Sequence, residues 1–188
     1  PEEVSGIAAW RAERFEPTLV AGLRRNRVQI RLEGGLSRLD EFSWGRVGLN
    51  VRLRTIGPLW IDVGASLAGR PADELIAYDS VFALPVHAGA RLIADLPGAA
   101  FLGGGADFTL LVGERCVDAP TCRRELAAEP GVRLAILGGL LLGRHFGLDL
   151  EFGGGVVRRR FPPVSGTGDP VEVPDPQLRV AVGVFARF

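Results

Sequence analysis

The sequence predicts an all-β fold, with eight antiparallel strands closed up-and-down into a transmembrane β-barrel. Three observations lead there. Apolar residues alternate with polar or small ones at period two, connections alternate between short and long, and aromatic residues gather near both ends of the expected strands. The 188 residues include 26 glycines, 13 prolines and no lysine or methionine, and 47% are hydrophobic. This composition excludes a disordered chain and suits a loop-rich β-protein. The net charge is zero and the arginines are scattered, so nothing points to nucleic acid as a partner.

The alternation starts at Arg27. Val28, Ile30, Leu32 and Leu36 share one face of the first run, with Gln29, Arg31, Glu33 and Ser37 on the other. The second run sets Val47, Leu49, Val51 and Leu53 against Gly48, Asn50, Arg52 and Arg54, and the third sets Leu59, Ile61, Val63, Ala65 and Leu67 against Trp60, Asp62, Gly64 and Ser66. In the fourth, Phe82, Leu84, Val86 and Leu92 oppose Ala83, His87, Gly89 and Arg91. Pro85 falls inside this run and predicts a bulge, because proline has no N–H for a ladder and a closed barrel has no free edge. The fifth opposes Leu102, Ala106, Phe108 and Leu110 to Gly103, Gly105, Asp107 and Thr109. The sixth opposes Val132, Leu134, Ile136 and Leu140 to Arg133, Ala135 and Gly139, and the seventh Leu148, Leu150, Phe152 and Val156 to Asp149, Glu151 and Gly153. The eighth runs Leu178, Val180, Val182, Val184, Ala186 and Phe188 against Arg179, Ala181, Gly183 and Arg187.

Alternation alone also fits a soluble sandwich or barrel. The polar face decides, because it is rich in Gly, Ala and Ser with a few charges of both signs, as a narrow closed interior requires. Runs of ten or more residues match the length of a tilted span. Short links are expected at residues 55–58, 95–98 and 144–147, and longer ones at 38–44, 69–79, 114–131 and 161–176. Threading the runs up and down places Trp44, Tyr78, Phe82 and Phe161 in a belt at the long-loop end and Trp60, Phe101, Phe146 and Phe188 in a belt at the short-turn end.

The last run, Leu178 to Phe188, alternates and ends in phenylalanine. It resembles the C-terminal signature of Gram-negative outer-membrane proteins, and residues 27–188 as a whole resemble the small OmpA- and OmpX-type barrels. The resemblance implies short periplasmic turns, longer extracellular loops and a bacterial outer-membrane location. It also implies outer-membrane lipids and lipopolysaccharide as surroundings, and recognition of the last strand by the barrel assembly machinery. Residues 1–26 depart from it. They read as a periplasmic segment, a linker from an upstream domain, or an extension of the first strand. The missing initiating Met suggests a processed chain that has already lost an export signal.

If the polar faces point inward, the lumen holds a network of Arg31, Glu33, Arg52, Asp62, His87, Arg91, Asp107, Arg133, Asp149, Glu151 and Arg179. The expected turn centres put Arg52 opposite Asp62 and His87 opposite Asp107. Buried charges must pair, so the network would plug the barrel instead of leaving a pore. Cys116 and Cys122 bracket a polar, Pro-containing segment and read as a loop disulfide, the alternative being two free thiols. No metal or cofactor is expected, since the two histidines lie far from the cysteines in sequence and the glycine runs at 103–105 and 153–155 lack the lysine and helix of a phosphate loop. His87 with Asp107 could pair as a base and its orienter, but no Gly-x-Ser-x-Gly accompanies them. Arg158, Arg159 and Arg160 could meet anionic headgroups or be a solvated run. The reading is therefore a non-enzymatic structural or anchoring protein of the envelope, with a place in a larger envelope complex open. A barrel enzyme acting on lipid or peptide and a soluble lipocalin-like barrel are the alternatives.

Overall fold

The computed structural model describes residues 27–39, 42–69, 82–116, 124–161 and 171–188. They form eight strands: β1 (Val28–Leu39), β2 (Phe42–Arg54), β3 (Leu59–Gly69), β4 (Phe82–Asp95), β5 (Ala100–Cys116), β6 (Arg124–Leu141), β7 (Phe146–Phe161) and β8 (Val171–Arg187). Each pairs antiparallel with its sequence neighbours, and β8 pairs with β1 to close the barrel. Closure leaves no sheet edge along the span, which a membrane demands because lipid offers no partner for a free N–H or C=O.

The register fixes the barrel's width. A circuit of directly paired residues runs from Gln29 through Arg52, Asp62, Gly89, Asp107, Arg133, Gly155 and Gln177. It returns to β1 at Leu39, ten residues beyond its start. That stagger accompanies strands tilted by roughly 35–45° and a lumen just wide enough for side chains to fill.

Polarity is inverted relative to a soluble protein. Leu36, Val47, Leu67, Leu102, Val132, Leu134, Ile136 and Val182 stand exposed on the outside, whereas Arg31, Arg52, Arg91 and Arg179 are buried within. A continuous outer apolar surface of this extent needs acyl chains, not water, against it.

Three short turns join the strands at one end, where Arg27 N also donates to Phe188 O. The β4–β5 turn is longer than the expected centre allowed. Leu96 N donates to Ala100 O around Gly98 and Ala99, both at positive φ (81° and 68°). The longer turn shifts the β4–β5 register by two residues, so Asp107 faces Gly89 and His87 faces Thr109, correcting the expected His87–Asp107 pair. Arg52 does face Asp62.

At the other end the strands outrun the expected loops. The β5–β6 ladder continues to Cys116 and Arg124, and the β7–β8 ladder to Phe161 and Val171, so much of 114–131 and 161–176 is strand. Likewise β1 reaches Leu39 and β2 starts at Phe42. Above Gly131 and Val157 the described β6–β7 pairing stops, and two ribbons rise separately. Their sequence loses the regular alternation beyond the apolar band, where prolines and charged residues mix with Leu126, Val171 and Val173.

Strand prolines sit where no donor is needed. In β8, Phe188 N donates to β1 and Arg187 N toward β7, so even-numbered residues face β1. Pro174 and Pro176 thus lack an N–H on the side where the described β1 ladder has ended at Leu39. In β6, Leu142 N donates toward β7, so the same parity aims Pro130 at β7, one residue beyond the last β6–β7 pair. Pro85 faces β3, and the ladder there skips Ser66 and Leu67. The register is the same on both sides of the gap, so no bulge forms, contrary to expectation. Leaving Ser66–Pro85 and Leu67–Leu84 unpaired suffices, and Ser66 Oγ donates to the Pro85 carbonyl at 3.4 Å.

The outward polarity is testable. Leu134 is 69% exposed near the middle of β6. Leu134→Arg is expected to lower the unfolding free energy in lipid vesicles by about 2–4 kcal/mol, and Leu142→Arg at the turn end by about 0–1 kcal/mol, measured by equilibrium urea unfolding. Equal, negligible effects would mean that water covers this face.

Candidate functional site: the barrel interior

The inward residues stack in layers along the axis. Nearest the short turns lies an apolar layer of Trp60, Ile93, Phe101, Leu137 and Phe185. The Phe101 and Phe185 rings meet edge to face, 5.6 Å apart at 75°. Glycines opposite them make the room, since a Cβ at Gly139 would come within 2.5 Å of Phe101 Cζ and one at Gly147 within 2.2 Å of Phe185 Cζ. The Arg187 guanidinium lies 5.1–5.6 Å from the centroids of Phe101, Phe185 and Trp60, in cation–π range of all three. Its Nη1 also lies 3.5 Å from Asp95 Oδ1.

Above this layer ten charged side chains close into a ring of alternating sign. Arg31 bonds Glu33 and, at 2.7 Å, Asp149. Arg52 holds Asp149 at 3.3 Å and Asp62 at 3.0 Å. Arg91 joins Asp62 at 3.7 Å to Asp107 at 2.5 Å. Arg133 donates from Nε to Asp107 at 2.9 Å and reaches Glu151 at 3.7 Å. Arg179 completes the circuit between Glu151, at 3.4 Å, and Glu33. Arg52 Nη2 adds a chord to Glu151 at 3.2 Å, and Asn50 Nδ2 donates to Glu33 at 2.7 Å. Five guanidiniums balance five carboxylates. Each forked guanidinium can serve two carboxylates at once, which a lysine ammonium does less well. His87 borders the ring with Nε2 3.8 Å from Asp62 Oδ1. Small residues again give space, as a Cβ on Gly183 would fall 2.3 Å from Arg31 Nε and 2.5 Å from Asp149 Oδ1.

Toward the loops, Trp44, Ala68, Ala83 and Val157 form a second apolar layer packed against Leu111. Beyond it Arg159 lies 3.2 Å from Asp175 and 3.7 Å from Glu129.

All eleven charged positions assigned to the lumen from the sequence therefore lie inside. Sequence reasoning put Asn50 and Arg187 on polar faces but not in the network, and did not place Arg46, Leu137 or Phe185. Strand parity points to each of them, but β2 was started at Val47, one residue too late for Arg46. The same parity corrects the aromatic belts. Trp44, Trp60 and Phe101 point inward, in phase with Arg46, Asp62 and Asp107, and Trp60 and Phe101 are each 2% exposed. They lie at the barrel ends where belts were expected, but face the lumen. Phe82, Phe146 and Phe188 do face outward. Tyr78, Cys122, residues 1–26 and the side chains of Cys116, Arg160 and Phe161 lie outside the described residues. Arg158 is exposed 3.6 Å from Glu172, and Arg159 turns inward, so the Arg158–Arg160 run does not present three free cations.

No protein-family model matches this chain, and no curated protein matches it significantly. Solved structures do. Neisserial surface protein A superimposes with a TM-score of 0.62 at 12% identity, covering 86% of this chain and 96% of that one. The outer membrane protein OprG from Pseudomonas aeruginosa gives 0.57 at 11% identity, covering 87% and 97%. The chain has the fold of the small outer-membrane β-barrels. A de novo designed transmembrane β-barrel is also similar, with a TM-score of 0.53 at 10% identity over 88% and 98% of the two chains. At these identities the likeness is one of fold. This chain's own chemistry has to come from its interior.

Two outcomes test that interior. Asp107→Asn leaves the Arg91 and Arg133 guanidiniums short of their shared carboxylate and is expected to cost about 3–5 kcal/mol in urea unfolding, whereas Arg158→Gln at the exposed pair should cost under about 1 kcal/mol. In a Trp10→Phe background, acyl-brominated lipids should quench the remaining tryptophan fluorescence weakly. Strong quenching would put Trp44 and Trp60 back against lipid.

Proposed function

We propose that this protein is a non-enzymatic, non-conducting barrel that serves the outer membrane as a structural or anchoring element. The observation that carries this reading is the filled lumen, with a closed ionic ring held between two apolar layers along the axis. A diffusion pore would need a continuous wet path, and the ring residues Arg31, Arg52 and Arg91 have no exposed surface at all. The outer apolar band supports membrane lipid as the constant partner. The terminal strand supports delivery through the barrel assembly machinery, because Phe188 N donates to Val28 O and its strand makes the closing seam with β1. β1 begins at the short-turn end, which suits residues 1–26, adjacent to it in sequence, to a periplasmic link to a further envelope component. The paired ribbons on the opposite side offer the most backbone for an extracellular partner.

An enzyme reading would have to recruit His87, which is buried beside Asp62 and in register with Thr109, away from either rim. That placement favours a structural histidine.

Reconstituted into planar bilayers, the folded protein is expected to leave the baseline conductance unchanged, and vesicles containing it should not swell in sugar solutions. Discrete, reproducible channel openings would overturn the reading.

A further inference from the structure

Above the ionic ring and beneath Trp44 lies a small cavity lined by Arg46, His87, Thr109, Arg133 and Gln177, with Leu111 and Val157 among its apolar walls. It has room for about one water-sized sphere. Its charge is unbalanced. The five guanidiniums and five carboxylates of the ring balance one another in charge, and Arg46 is a sixth cation at this level. Arg46 reaches Glu33 only at 3.7 Å, and that carboxylate already serves Arg31 and Arg179. The charges that act on it most strongly are Arg179, Glu33, Arg133 and Glu151, two of them also cationic. The remaining acidic pair, Glu129 and Asp175, is engaged by Arg159 beyond Val157.

Orphaned groups mark the same place. The Arg46 side chain is 2% exposed, and although its guanidinium donates to Ser66 Oγ, its Nε has no hydrogen-bond partner. Thr109 Oγ1, also buried, has none either. A buried N–H donor on a guanidinium and a buried hydroxyl each cost free energy unless something accepts from them. Both are donors, both line the cavity, and the local charge excess is positive.

We propose that this cavity is a binding site for a monovalent anion of halide size. Such an ion would accept from Arg46 Nε and Thr109 Oγ1 and neutralise the charge that the ring leaves over. A larger oxyanion would not fit, and a cation would meet Arg46 and Arg133.

Crystals of the full chain grown with bromide as the halide are expected to show an anomalous peak inside the cavity beside Arg46 and Thr109. In vesicles at constant ionic strength, replacing gluconate by chloride should raise the urea midpoint. Above the dissociation constant, each tenfold rise in chloride should raise the folding constant about tenfold. Arg46→Gln should abolish that dependence. Should this variant fail to fold, the wild-type anomalous map decides alone. No bromide peak in the cavity, an equal stabilisation by gluconate, or an undiminished chloride effect in Arg46→Gln would each overturn the proposal.

Discussion

Charge pairing across the axis is the constraint around which the barrel is built. Arg31, Arg52, Arg91, Arg133 and Arg179 come from five different strands, as their positions in β1, β2, β4, β6 and β8 require, and their carboxylate partners from β1, β3, β5 and β7. Removing any of these ions from water costs several kcal/mol, which their mutual attraction offsets only when every guanidinium and carboxylate finds its partner. An arrangement that satisfies them demands one register. Slipping any strand by one residue would drive its charges into lipid and its leucines into the lumen. The ring therefore specifies the fold more sharply than the outer surface does, since apolar residues facing lipid tolerate exchange among themselves.

Packing at either end follows from that centre. The ten-residue stagger leaves a bore that side chains must fill, and the large ones occur where a small residue stands opposite. Gly139 and Gly147 accommodate Phe101 and Phe185, and Gly183 accommodates the Arg31–Asp149 pair. The two apolar layers, around Trp60 at the turn end and Trp44 at the loop end, keep the ring away from bulk water and so strengthen its ion pairs. A barrel filled this way is rigid and closed, which supports the proposed structural or anchoring role over transport.

Much of this was legible because a strand's period is two. Once Leu134 and Val182 are placed outward, Arg133 and Gly183 must face inward, and the eight runs of the sequence correspond to the eight strands of the structure. What parity could not give was the length of turns and ladders. The extra residues around Gly98 and Ala99 moved Asp107 from His87 to the Arg91–Arg133 side, changing a suspected base and orienter into an ion-pair hub. Beyond the bilayer the alternation fades while backbone pairing persists, so the β5–β6 and β7–β8 ribbons looked like loops. The aromatics misled for a different reason. Belts are expected of a membrane protein, but Trp44, Trp60 and Phe101 share the inward parity of Arg46, Asp62 and Asp107 and so fill the lumen.

The interior network can be interrogated without altering it. In nitrogen–proton NMR spectra of the folded protein, the arginine Nε–H groups of the ring should remain visible at alkaline pH, where free guanidinium protons exchange too fast to detect. Those of Arg31, Arg52 and Arg133, whose Nε donates to a carboxylate, should persist longest. Exchange of these protons at the rate of an unstructured peptide would show a wet, open lumen and contradict the account.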